Sequence, residues 1–116
     1  MNPDNEKMYV QLNIVTRMLE KELSQIGLWS DFELLQLQIS SETRQRCMPS
    51  IMLYKQIMKK LPLKEAKKQE KVGKIMFGIV NFHYNLKEYL QALEIINFML
   101  SIIPSDFRIQ YSMGKL

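Results

Sequence analysis

The sequence predicts an all-α protein, a single helical domain over 1–116 built of antiparallel helix hairpins, about five to six helices in all. Three observations carry that prediction. Apolar residues recur at steps of three and four through most of the chain, the spacing that lines up one face of a helix. Leu, Met, Gln, Glu and Lys dominate, while alternating Val, Ile and Thr runs are scarce. The four glycines and four prolines fall mainly at the ends of periodic stretches or at close-packing positions.

The first helix is expected over 5–27. Asn5 or Asp4 can cap it, Met8, Leu12, Val15, Leu19, Leu23 and Ile26 form its apolar stripe, and Gly27 can take the positive φ that ends a helix. Ser30 followed by Glu33 reads as a capping box, which predicts a shorter helix over 31–40 with Phe32, Leu35 and Ile39 turned inward. Leu28 and Trp29 then staple the turn before it, a role preferred for Trp29 over stacking on a ligand. The polar stretch SSETRQRCM reads as a loop or frayed end, and Pro49 opens a helix carrying Ile51, Leu53, Tyr54, Ile57, Met58 and Leu61 until Pro62 closes it.

From Gly73 to Pro104 two further stripes meet at a tight corner. Met76, Ile79, Val80 and His83 line the first, and Leu93, Ile96, Met99 and Leu100 the second. Residues 105–116 are expected to cap the domain.

Ser50 stands twelve residues before Pro62, and Ala92 twelve before Pro104. That spacing resembles the second helix of a tetratricopeptide repeat, where a small residue lets helices approach and a proline ends the unit. On this reading 31–62 is a degenerate repeat and 73–104 the better preserved one, with Ile79 in the apolar place and Tyr89 at the corner. Met113 and Gly114 fall where a following repeat would start. Two places usually small hold Val80 and Met99, and Pro62 and Pro104 are 42 residues apart where a regular array gives about 34. The surplus is assigned to the lysine-rich LKEAKKQEKVGK segment, as an extension of the first repeat helix or of the loop before it.

The block FGIVNFHYNLKEYLQALEIINFMLSIIPSD further resembles the second repeat of the mitochondrial fission 1 protein family, with Tyr84, Leu86, Glu88, Tyr89, Ala92 and Pro104 in the family's places. The resemblance implies a cytosolic helical bundle that recruits other proteins to the outer mitochondrial membrane from a C-terminal anchor. The given sequence carries no such anchor. The same fold admits a small type III secretion chaperone holding a needle or translocator subunit, or a structural subunit buried by oligomerisation.

Composition bounds the function. Apolar residues are 47 % and charged residues 24 %, an ordinary globular balance. The single Cys47 cannot form an internal disulfide, which predicts a reducing, cytoplasmic setting. No apolar run is long enough to span a membrane, and MNPDNEK lacks the pattern of a targeting segment. The net charge is +4, with eight lysines from Lys55 to Lys74 against Glu65 and Glu70. A solvated helix face is the first reading of that cluster, and peripheral contact with an anionic membrane surface through Lys55 to Lys74 the second. Nucleic acid is not expected, since no aromatic residues interleave with the lysines.

No metal-ligand cluster, phosphate loop or nucleophile elbow is present, so no cofactor and no enzymatic activity are expected. His83 reads as a core or half-buried histidine, Cys47 as a buried or incidental thiol, and Gly73 and Gly78 as close-packing positions. The nine methionines read first as adaptable core and second as a forgiving groove for a partner helix. The expected function is a protein-binding adaptor that holds a peptide or amphipathic helix in a concave groove. Its predicted contacts are Lys74, Phe77, Asn81, Tyr84, Asn85, Arg108 and Tyr111.

Overall fold

Five helices and no strand occur among the described residues: α1 (Pro3–Gln25), α2 (Ser41–Lys60), α3 (Leu63–Lys67), α4 (Val72–Asn85) and α5 (Tyr89–Ile102). The computed structural model describes residues 3–29, 33–69 and 71–102. The expected capping helix over 105–116, Arg108 and Tyr111 of the expected site, and Ser30 and Phe32 lie outside the described residues.

α1 starts at Pro3, so Asp4 and Asn5, expected to cap it, lie inside it; of the expected stripe Leu12, Val15, Leu19 and Leu23 are buried and Met8 and Ile26 half-buried, and the helix ends as the sequence predicts. Gly27 takes φ +80°, its N–H donates to the Ser24 carbonyl at 3.2 Å, and the Leu28 N–H reaches back to the Leu23 carbonyl at 2.8 Å. This paired closure places Leu28 and Leu23 together in the core.

The helix expected over 31–40 is not formed: residues 33–40 are non-helical. Their backbone is held instead by side chains of α4, described below. The next helix starts earlier than expected, at Ser41, because Ser40 caps it: its hydroxyl accepts from the Thr43 N–H at 3.2 Å. Pro49 therefore sits inside α2 instead of opening it. Gln45, whose carbonyl loses a partner to the proline, is exposed, so water can satisfy it. Cys47, Ser50, Ile51, Tyr54, Ile57 and Met58 form the buried face of α2, whereas Leu53, expected inward, is exposed.

Packing pairs α1 with α2 and α4 with α5. The degenerate repeat expected over 31–62 thus lacks a first helix at 33–40, and α2 finds its partner in α1. The lysine-rich segment, expected to lengthen α4 or its approach, makes the short α3, which packs against α5 with Ala66 fully buried. Lys71 at φ 61° then redirects the chain into α4.

The α4 to α5 corner falls where the sequence places it. Lys87 takes φ 62°, and the Glu88 N–H closes onto the His83 carbonyl at 2.9 Å. α4 is the centre of the molecule: every residue from Ile75 to His83 is buried. One reason is Gly78, where an added Cβ would lie 2.6 Å from Leu23 Cδ1 on α1. Only glycine allows that approach without moving Leu23.

Candidate functional site

Two surfaces of α4 bear on function, and they lie on different neighbours. The first is a shelf made by Asn81 and Asn85. The Asn81 side chain accepts from the Leu35 N–H at 2.7 Å and donates to the Glu33 carbonyl at 2.8 Å. Asn85 repeats the arrangement two residues on, accepting from Leu37 N–H at 2.6 Å and donating to the Leu35 carbonyl at 2.9 Å. A helix rises about 6 Å over four residues, and extended chain advances about 6.6 Å over two. Asparagines four apart therefore meet every second residue of an extended strand. Each amide is also tied to its own helix, Asn85 to the Asn81 carbonyl at 2.7 Å and Asn81 to that of Phe77 at 3.5 Å.

Of the residues predicted to contact a partner, Asn81 and Asn85 thus do hold an extended peptide, but it is the chain's own 33–37 segment. Phe77 is fully buried, within a run from Ile75 to His83 that is buried throughout, and offers a partner nothing. Tyr84 is half-buried, its ring set edge-on to Tyr89 at 5.9 Å, and Lys74 is exposed with its ammonium 6.0 Å from the centre of the Trp29 ring. The shelf is filled.

The second surface is open. A cleft of about 910 Å³ lies between α2, α4 and α5, with Met48, Met52, Met58, Met76, Ile95 and Phe98 supplying its apolar lining. Its rim carries Arg44, Lys55, Lys59, Glu88 and Glu94. Four of the nine methionines line this cleft.

One wall of the cleft holds a polar chain. Lys55 Nζ lies 2.6 Å from His83 Nε2, His83 Nδ1 lies 3.0 Å from one Glu88 oxygen, and the other Glu88 oxygen accepts from Arg44 at 3.0 Å. Burial, reinforced by Lys55 and Arg44, holds the His83 pKa below the usual histidine value, although the Glu88 bond opposes it. Burial and then Lys59 draw the Lys55 ammonium below its ordinary value, against Glu94 and Glu88. For Glu88 burial acts upward, but the bonds from His83 and Arg44 outweigh it and leave the carboxyl below its ordinary value. The sequence showed a lone histidine; its partners come from a helix 28 residues earlier and a corner five residues later.

These shifts share one sign. Folded His83 binds a proton less readily than the unfolded chain, whose histidine value is 6.5, so stability falls as pH drops below about 6.5. Glu88, held below 4.5, extends the loss to lower pH. We expect the melting temperature to fall from about pH 7.5 to about pH 5, and His83→Gln to remove the portion just below about pH 6.5. A profile unchanged by that substitution would mean His83 does not set it.

Cys47 is buried, and its thiol is pushed up by burial first and then by Glu22, which outweigh Arg46. It is a packing residue. Among the described residues no three His, Cys, Asp or Glu side chains come together to hold a metal ion, and no described helix is long and apolar enough to cross a membrane.

Comparison with protein families, with curated proteins and with solved structures finds no match to this chain.

Proposed function

We propose that this chain is a non-catalytic adaptor that takes an acidic amphipathic helix from a partner protein into the cleft between α2, α4 and α5. The observation that supports the reading is the lining: four methionines, Ile95 and Phe98 around about 910 Å³ of open space. Unbranched thioether side chains repack around different apolar faces, which suits capture of a helix. The cleft's charged groups, Arg44, Lys55 and Lys59 against Glu88 and Glu94, carry a small positive excess that together with the net charge of +4 favours an acidic partner and disfavours a second copy of the same basic chain. The reading sets the adaptor in the cytoplasm and is shared by a fission-type organelle adaptor and a secretion chaperone.

A fluorescent amphipathic peptide of leucine and glutamate tests it. The chain should bind the peptide, and Met52→Glu, a change at an exposed cleft residue, should weaken binding roughly tenfold by setting a carboxylate against the peptide's apolar face. No binding, or binding indifferent to that change, removes the proposal.

One observation favours a structural subunit instead. Val10, Ile14 and Met18, spaced one turn apart along α1, are 58 %, 55 % and 45 % exposed. Sedimentation equilibrium separates the readings: a monomer supports the adaptor, and a dimer dissociated by Ile14→Glu supports the subunit.

A further inference from the structure

The hydrogen-bonded chain from Glu88 through His83 to Lys55 lines the cleft, but the proposed capture of a partner helix rests on the apolar lining and gives this chain no task of its own. Its order matters. His83 is 2 % exposed, and with Nδ1–H donating to the Glu88 carboxylate its Nε2 lone pair faces the Lys55 nitrogen 2.6 Å away. Lys55 itself is half-buried and lines the open cleft. A carboxylate orienting an imidazole that in turn contacts a nucleophilic atom is the arrangement that activates nucleophiles in acyl transfer.

We infer that Lys55 is an acylation site, an amine that takes an acyl group from a thioester, with His83 as its base and Glu88 as the positioning residue. The neutral amine attacks the thioester carbonyl carbon. A C–N bond forms, the surplus proton passes from nitrogen to His83 Nε2, and the C–S bond breaks to release a thiolate. The thiolate takes the proton back from His83, leaving an amide and a free thiol. Met48, Met52 and Phe98 give the acyl chain an apolar wall. The charged groups facing Lys55 are Lys59 on its own helix, His83 on α4, Glu88 at the corner and Glu94 on α5. Acylation would remove one positive charge from the cleft. The inference holds whether or not a partner helix binds there.

The test uses the full chain and S-acetyl-N-acetylcysteamine, with each lysine's acetylation rate followed by peptide mass spectrometry across a pH series. Lys55 should react roughly tenfold faster than exposed Lys64 near neutral pH, with a midpoint at lower pH. His83→Gln should remove the excess rate. Should that variant fail to fold, Glu88→Gln carries the test. Glu88 raises the Lys55 pKa, so its loss should move the midpoint down while the high-pH plateau rate falls. Glu20→Gln breaks a comparable ion pair, with Lys71 at 2.8 Å, away from the cleft and should keep the plateau. A Lys55 rate no greater than that of Lys64, a plateau unmoved by Glu88→Gln, or an equal fall in Glu20→Gln would each overturn the inference.

Discussion

Phe77→Ala is expected to lower the free energy of unfolding by about 3–5 kcal/mol, read from denaturant titration followed by circular dichroism. Phe77 has no accessible surface, and α4 packs against both α5 and α1. Truncation leaves a void the size of a phenyl ring in a helix whose backbone is pinned to α1 at Gly78, so the surroundings can relax only in part. A loss under about 1 kcal/mol would return Phe77 to the surface and reopen the groove the sequence assigned to it. Tyr84→Ala, at a half-buried ring on the same helix, should cost clearly less.

Asn81→Ala is expected to cost about 2–4 kcal/mol and to free the 33–37 segment. Two bonds of 2.7 and 2.8 Å disappear together, leaving the Leu35 N–H and the Glu33 carbonyl without the buried amide that matched them. Hydrogen exchange localises the effect: the Leu35 amide should accelerate most, Leu37, held by Asn85, less. Asn81→Asp keeps the acceptor for Leu35 but sets a carboxylate oxygen against the Glu33 carbonyl, so it should not rescue the alanine variant. Unchanged exchange at Leu35 in Asn81→Ala would mean the shelf does not hold the segment.

The helical class, the stripe of α1, the closure at Gly27 and the α4 to α5 hairpin were all legible, because each rests on spacing or on a residue with a particular backbone freedom. The 33–40 segment was not. Ser30 and Glu33 satisfy the local rule for a helix start, and side-chain amides 46 or more residues away supply the backbone partners that a helix would otherwise provide. Tertiary bonding overrode a local preference there. The misplaced start of α2 has a local cause: Ser40 caps forty-one onward, and a proline on an exposed face is tolerated mid-helix.

Asn81 and Asn85, expected to contact a partner, bind backbone of their own chain, a pairing that no spacing in the sequence encodes. Phe77 was misjudged for a reason present in the sequence: from Ile75 to Asn85 no charged side chain interrupts α4 if His83 is neutral, the mark of a helix buried all round and not of one with a wet face. The cleft and the Lys55–His83–Glu88 chain were beyond reach, since they join α2 to the α4 to α5 corner and no periodicity encodes that meeting.

Methionine methyl NMR tests the adaptor reading most directly. With carbon-13 in the methionine methyls, titration with the leucine and glutamate peptide should shift or broaden Met48, Met52, Met58 and Met76 in the cleft while Met8 and Met18 on α1 stay in place. Perturbation confined to Met8 and Met18, or none at any cleft methionine while the peptide binds, would contradict it.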